Sequence, residues 1–458
     1  MSFSYSQEFT QSLASLFGER VTDNPVIRQQ HGHGESHHAV APPDFVVFVE
    51  NEAEVVALVQ LCGRFGVQMI AFGAGTSIEG QLQALQGGVS VDFSRMNRIL
   101  QVDADDLACV VEPGVTREQL NQFLRDTGLF FPVDPGANAT VGGMIATGAS
   151  GTTTIRYGGM KTNVMGLRAV LASGDVIVTG SGARKSSAGF NLTELLVGSE
   201  GTLGLITQAR LRLYGIPESA LAVRVQFADV LGAVRSVIEL IQLAVSLARI
   251  ELLDQNALRA VNRYCKTDYP LQPTLFMEFH GTPAATAEQA DIARDICVSH
   301  GGMEYVTAVD EADKKRMWHA RHNAYYAALA QVPNGKGWVT DVCVPISRLA
   351  DCIAETAADL QAEALSIPIV GHVGDGNFHL LFSIVDGDSA ALEQAKRING
   401  RLIERAHRMG GTCTGEHGIG MGKKQWLPLE KNPATVAAMQ AIKQALDPQQ
   451  LFNPGKLF

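Results

Sequence analysis

The chain alternates short apolar runs with glycine-rich breaks, and the period of the runs changes along its length. In the first half, β-branched stretches such as FVVFV (45–49), CVVEPGV (109–115), LRAVLASGDVIVTG (167–180) and LGLITQARLRLY (203–214) read as strands. Between them, EAEVVALVQLCGRFG (52–66) and TREQLNQFLRDTG (116–128) set apolar residues three and four apart, the spacing of an amphipathic helix, with Thr116 as an N-cap. Past YGIPES (214–219), where Gly and Pro mark a hinge, strand–helix–strand order appears twice: 221–227, 230–246 and 248–254, then 274–281, 284–302 and 303–309. A third set has strands at 337–346, 367–373 and 378–385, a helix opened by a Ser347 cap after the first, a helix from 388 to 409, and GTCTGEHG (411–418) to complete it. A helix at 432–447 and the tail LFNPGKLF finish the chain.

These elements predict an α+β protein. Its expected domains are 1–218, glycine-rich and suited to a cofactor; 219–425, a cap of antiparallel sheet covered by helices; and 426–458, a helix and tail returning to the first. A length of 458 residues, too long for one ordinary core, fits that division.

Composition narrows the function. A hydrophobic fraction of 46% with 18% charged residues is that of a globular chain. The net charge of −10, with no Lys/Arg block, argues against nucleic acid as a partner, because phosphate binding needs a basic face. Seven scattered cysteines without a CxxC pair point to reduced thiols and away from an iron–sulfur or zinc-ribbon site. The opening MSFSYSQEFTQSLASLF has neither a basic region nor a long apolar run. The expectation is therefore a cytoplasmic protein without a membrane span, open to peripheral association with the inner membrane.

The glycines concentrate where chemistry is expected. FGAGTS (72–77) follows an apolar run, and Gly73 and Gly75 let backbone N–H groups converge on an anion beside the Thr76 and Ser77 hydroxyls. It is not GxGxxG, and no acid stands where a ribose-binding Asp would fall. Further Gly/Ser/Thr loops at 135–143, 146–152, 157–159 and 198–204 suggest a long, phosphate-bearing ligand such as a dinucleotide.

GHVGDGNFH (371–379) reads as a hairpin closed by GDGN, which would set His372 opposite His379 on one sheet face with Cβ atoms ~4.5–5.5 Å apart. Two imidazoles so placed can close on a divalent ion; alone, the pair could equally be solvated or core histidines. GEHGIG (415–420) adds Glu416 as a third ligand, with His417 on the opposite side facing a substrate proton. Spacing does not separate zinc from manganese or iron.

Together AFGAGTSIEG, VEPGVT, FPVDPGA, GGMIATGASG, RYGGM and GSEGTLGLIT resemble the FAD-binding domain of the vanillyl-alcohol oxidase flavoproteins. GHVGDGNFH, GEHGIGMGK and FNPGK resemble the cap and tail of their D-2-hydroxyacid dehydrogenase branch. The resemblance runs from about residue 22 to the end and is nearest to the FAD-dependent D-lactate dehydrogenases. It implies a two-subdomain FAD-binding domain plus an α+β cap. FAD would lie on Gly73, Ala74, Gly75, Thr76 and Ser77, with Pro135, Gly136, Thr140, Gly143, Ser150, Gly151 and Tyr157 along it and Gly201, Thr202 and Ile206 on the far side. It further implies a divalent metal, zinc or manganese, on His372, His379 and Glu416, a substrate carboxylate gripped by Arg321, and His417 as base.

Read without the resemblance, Arg321 is an exposed helix arginine. Electrons would pass to a non-NAD acceptor: quinone, cytochrome or electron-transfer flavoprotein. A homodimer is the default assembly. Val339 stands where hydroxyglutarate-specific relatives carry a lysine, which favours a small or aliphatic acid over a dicarboxylate. HGHGESHH (31–38) departs from the family's Arg-Asp-Glu-Ser pattern and reads as a loop near a non-covalently held cofactor. A glycolate oxidase subunit, a D-2-hydroxyglutarate dehydrogenase, an ether-lipid synthase and a flavin-binding protein without turnover stay open as alternatives.

Overall fold

The computed structural model describes residues 5–458; the first four, part of the opening stretch read for a leader, lie outside the described residues. Two compact units divide the chain. One is formed by Met1–Ser150, Gly158–Ile216 and Glu416–Phe458, the other by Gly151–Tyr157 and Pro217–Gly415. The break at Ile216 falls inside the expected hinge, and the second unit closes at Gly415 where 425 was expected.

The first unit holds two main sheets, each with its own core. In the four-stranded sheet, Phe45–Phe48, Val89–Asp92 and Met69–Phe72 are parallel neighbours and Val21–Thr22 adds an antiparallel edge. Helix Glu52–Phe65 packs Val55, Leu58, Val59 and Cys62 into this core, capped by Asn51 and ended by Gly66 at φ 64°, a backbone that glycine adopts without strain. The other sheet is antiparallel, in the order Ile99–Asp103, Ala108–Val111, Leu205–Arg212, Val164–Val170, Val176–Gly180. Thr116 caps helix Arg117–Leu124 as its position suggested, accepting from the Gln119 N–H. The returning segment completes the parallel sheet: Met69 donates to the Leu451 carbonyl at 2.7 Å, and buried Lys443 Nζ donates to the Thr202 carbonyl at 2.7 Å.

The second unit is built on one eight-stranded sheet. Its path runs Gly302–Thr307, Ser219–Phe227, Thr274–Gly281, Leu247–Leu253, Ile369–His372, Asn377–Val385, Gly335–Val339, and Val342–Cys343 also pairs with Asn377–Val385. Every pairing is antiparallel. The two strand–helix–strand units are thus split: Thr274–Gly281 lies between Ser219–Phe227 and Leu247–Leu253, and Ser219–Phe227 between Thr274–Gly281 and Gly302–Thr307. On one sheet face Ala222, Leu253, Phe276, Val370 and Leu381 pack against Met317, Trp318 and Ala324.

Several local readings need correction. The stretch 337–346 breaks into two strands, and 411–418 is no strand, touching Cys343 only through a bridge at Thr412. The following helix is Ile346–Ala362 with Pro345 at its N-cap, so Ser347 does not cap it. The hairpin register also differs by two residues, because Val373–Gly376 forms the turn: His372 lies opposite Asn377, and His379 opposite Val370. A shift of two keeps both histidines on one face, where a shift of one would have separated them.

Candidate active site

In the second unit the chemistry gathers on the sheet face that carries the apolar cluster. Strand alternation puts Arg249, Glu251 and Leu253 on one side of Leu247–Leu253, with His372 and His379 on the same side of the hairpin. Leu253 goes under the helices; Glu251, 1% exposed, becomes the centre of a polar line. Its Oε2 accepts from Arg321 Nε at 2.8 Å and lies 2.5 Å from Nη2 of the same guanidinium, and its Oε1 accepts from His372 Nδ1 at 2.7 Å. Burial alone would push this carboxyl up, but the charge of Arg321 and the hydrogen bonds from His372 and Arg321 outweigh it and hold Glu251 below the usual carboxylate range.

Arg321 reaches the line from helix Glu311–His322, whose N-cap is Asp310. Met317, Trp318 and Ala320 bury the same helix, so Arg321 is 8% exposed rather than the exposed arginine that sequence alone suggested.

His379 donates from Nδ1 to the Thr340 carbonyl at 2.8 Å. Since the Glu251 carboxylate and the Thr340 carbonyl only accept, both histidines carry hydrogen on Nδ1; a neutral ring then has its lone pair on Nε2, the tautomer of a ligating imidazole. Their ring centroids are 5.5 Å apart, and a nitrogen of one lies within 4.8 Å of a nitrogen of the other. The donor set fits a divalent transition metal.

Asp341, fully buried, ties down the chain beyond. It accepts from Asn377 Nδ2 at 2.8 Å and Thr414 Oγ1 at 2.7 Å. A Cβ on Gly415 would meet Asn377 Nδ2 at 2.3 Å, so this close approach requires glycine. The chain then runs from Gly415 straight into Glu416, the first residue of the returning segment.

Within the first unit, His417 stands beside Glu416, not on the opposite side from it as extended chain would place it, and among two further acids, Glu79 and Glu200, that the motifs alone did not single out. Its Nδ1 is 3.9 Å from Glu79 Oε1 and its Nε2 3.8 Å from Glu416 Oε1, while Lys423 Nζ pairs with Glu79 at 2.9 Å. Gln81 Nε2 donates to the His417 carbonyl at 2.9 Å, and the Glu200 carboxylate accepts from the N–H of Ile419 at 2.6 Å and of Gly420 at 2.8 Å. Burial pushes the Glu200 carboxyl up to about 7. Glu79 and Glu200 lie inside the glycine motifs AFGAGTSIEG and GSEGTLG; a charged residue in such a loop was the available signal.

The cofactor residues divide between the units. Gly73, Ala74, Gly75, Thr76 and Ser77 leave the carboxyl end of Met69–Phe72 in the parallel sheet, where ligands of such sheets bind. Gly75 has φ 75°, and a Cβ on Gly73 would fall 2.2 Å from Thr140 Oγ1, so this loop is pressed against the cap of helix Val141–Thr147, which contains Gly143. Among the described residues, buried Ser77 Oγ has no hydrogen-bonding partner, as a loop that holds a polar ligand would leave it.

Pro135 and Gly136 lie in the loop before Thr140, Ser150 follows that helix, and Gly201 and Thr202 turn into Leu205–Arg212, which carries Ile206. Gly151 and Tyr157 belong to the second unit, where Tyr157 Oη donates to His280 Nδ1 at 2.8 Å and His280 Nε2 donates to Glu278 at 2.6 Å. The histidine-rich loop 31–38 packs on the same cofactor loop, since a Cβ on Gly34 would sit 1.9 Å from the Ser77 carbonyl oxygen. His31 is spent structurally, bonded to Asp92 at 2.8 Å and to the Ile27 carbonyl at 2.8 Å.

Residues 43–180 match the FAD binding domain family, and residues 216–457 match the C-terminal domain of the FAD linked oxidases. The chain belongs to the FAD linked oxidases and is a flavin-dependent oxidoreductase. Its fold is that of the vanillyl-alcohol oxidase flavoproteins: a substrate-bound p-cresol methylhydroxylase superposes with a TM-score of 0.80 at 17% identity, covering 99% of this chain and 98% of that one. The chain is 47% identical to a probable mitochondrial D-lactate dehydrogenase of Danio rerio, over 97% of this chain and 90% of the relative. It is 40% identical to the mitochondrial D-lactate dehydrogenase [cytochrome] of Arabidopsis thaliana, over 98% of this chain and 80% of the relative.

These relatives correct the cytoplasmic location expected above, since both are named as mitochondrial. Reduced cysteines separate oxidising from reducing compartments and cannot tell one reducing compartment from another. Among the described residues, no helix is long and apolar enough to cross a membrane.

Proposed function

We propose that the protein oxidises D-lactate, or a similarly small D-2-hydroxy acid, to the 2-oxo acid and passes the electrons to a non-NAD acceptor, a cytochrome by analogy with its relatives. The observation that supports this reading is the buried line Arg321–Glu251–His372 with His379 beside it on one sheet face, an arrangement suited to a carboxylate grip and two ligating imidazoles. When bound, FAD supplies the hydride acceptor for C2, and a zinc or manganese ion on His372, His379 and Glu416 supplies positive charge that eases ionisation of the 2-hydroxyl.

Glu251 accepts from Nε of Arg321 and lies beside Nη2, which leaves the other edge of the guanidinium for a substrate carboxylate. His417 takes the hydroxyl proton, a step typically worth about 10²–10⁴ in rate. Glu79 beside His417 favours the imidazolium formed when it does so, and Lys423 keeps Glu79 in place. Val339 packs with the apolar cluster of the sheet face, in keeping with a small substrate side chain.

The reading is tested by anaerobic visible titration of the purified protein with D-lactate, with L-lactate as control. Bleaching of the oxidised flavin band by D-lactate alone is expected. A flavin band that neither lactate bleaches would sink the substrate assignment, and no flavin after reconstitution would contradict the cofactor loops. Dye reduction by the purified chain with D-lactate, without added subunits, separates this reading from a glycolate oxidase subunit.

A further inference from the structure

Glu251 is an acid in a strand whose other residues, LARI and LL, are nearly all buried. An ionised carboxylate is stable there only if its oxygens are filled by donors, and cations serve best. One cation would do for that purpose. Glu251 has that cation in Arg321 on helix Glu311–His322, which holds Oε2, and a second donor from a separate element, the Nδ1–H of His372 at the end of Ile369–His372, which holds Oε1. Those are the group assigned to the substrate carboxylate and a group assigned to the metal, and a single buried side chain sets the position of both.

We infer that Glu251 is a positioning residue that couples the metal ligand His372 to the substrate grip Arg321. The inference rests on the reading proposed above. By accepting from Nδ1–H, Glu251 fixes His372 in the tautomer with its lone pair on Nε2 and sets the plane of the ring. By occupying one edge of the guanidinium, it aims the other edge of Arg321. A change at Glu251 therefore moves two affinities, for the ion and for the acid, although it is assigned contact with neither.

Glu251→Gln separates this role from a merely structural ion pair. The amide has one oxygen where the carboxylate has two, and the charge of Arg321 draws that oxygen. The NH₂ then faces His372 Nδ1, which accepts only if the ring moves its hydrogen to Nε2, and the ligating lone pair is lost. Zinc affinity is measured on the FAD-loaded protein by chelator competition without substrate, and oxalate affinity by the flavin absorbance change at saturating zinc.

The expected result is a 10- to 100-fold loss of zinc affinity with a weaker oxalate response. A variant that melts earlier yet binds zinc as tightly as wild type would overturn the inference while leaving the metal reading intact. A wild-type protein with no saturable zinc or manganese site would instead bring down the metal reading and the inference with it. Should Glu251→Gln not fold, ¹⁵N-histidine spectra of the wild type decide the matter. The resonance lost in His372→Ala must report hydrogen on Nδ1, and hydrogen on Nε2 would refute the coupling.

Discussion

Arg321→Lys asks whether the guanidinium grips the substrate or only holds the fold. The substitution keeps the positive charge beside Glu251, so the buried carboxylate retains a partner and the protein should fold. What is lost is the planar fork. Arginine has five N–H donors; the Nε–H serves Glu251 at 2.8 Å, with Nη2 2.5 Å from the same oxygen, and the edge away from Glu251 can face a carboxylate with two parallel bonds. An ammonium that keeps one bond to Glu251 can offer the acid one bond in place of two. One charge-assisted hydrogen bond is worth about 1.5–3 kcal/mol, which corresponds to a loss of about 10- to 150-fold in kcat/KM.

A carboxylate contact is present before and during hydride transfer, so the loss should fall mainly on binding. Stopped-flow reduction of the flavin by D-lactate separates the two: the apparent Kd should rise while the limiting rate changes little. A thermal melt within a few degrees of wild type shows that the fold is kept. An unchanged Kd would refute the assignment and return Arg321 to a structural role.

His417→Ala should keep the flavin band and full metal content but lose turnover by about 10²–10⁴; near-wild-type reduction of the flavin by D-lactate would remove His417 from the mechanism. Gly415→Ala puts a Cβ 2.3 Å from Asn377 Nδ2, an atom already donating to Asp341 at 2.8 Å and to the Val342 carbonyl at 2.8 Å. Displacing it should cost about 2–4 kcal/mol, and a melting temperature equal to wild type would show that the loop gives way freely. The Glu200 carboxyl, raised from 4.5 to about 7, stays protonated in the folded protein at pH values where the unfolded chain releases its proton. Its contribution therefore falls as pH rises from the ordinary carboxylate range through 7, by on the order of 1–3 kcal/mol. Melting temperatures at pH 5 and 7.5 should show a steeper decline for wild type than for Glu200→Gln, and parallel declines would place the proton elsewhere.

Strands such as Phe45–Phe48 and Leu205–Arg212 were readable because alternation and β-branching report burial directly, while the short Val89–Asp92 and Ile99–Asp103 were not read; the hairpin was readable for the same reason as the first two. Its register was not, because GDGN and VGDG are both four-residue turns and only packing selects between them. Arg321 was read on a helix, but the bounds of Glu311–His322 and its buried side were not, because its buried residues Met317, Trp318, Ala320 and Arg321 crowd into its second half, behind a run of charges. Gln255–Cys265 had a cap signal in Asp254 that the apolar run before it obscured. Glu251 and Asp341 were invisible for a different reason. In a sequence, a lone acid inside an apolar strand looks like an interruption, and only folding brings Arg321, His372 or Thr414 to its oxygens. His372, His379, Glu416 and His417 stood out because glycines surround them.

The discontinuity of the first unit has a consequence for the order in which the molecule is made. Its parallel sheet and glycine-rich loops leave the ribosome early, yet the residues that finish them come last: Leu451 bonds Met69, Lys443 bonds Thr202, and Asn453 reaches Gln81 and Glu200. Residues 217–415 intervene, and closing a slack loop of that length costs on the order of 5 kcal/mol. If the second unit folds while the tail is still being synthesised, a slack loop becomes a rigid body with fixed ends, and much of that entropy has already been given up. The nascent first unit must then wait with its cofactor loops open, so tight FAD retention should begin only after the returning segment Glu416–Phe458 emerges.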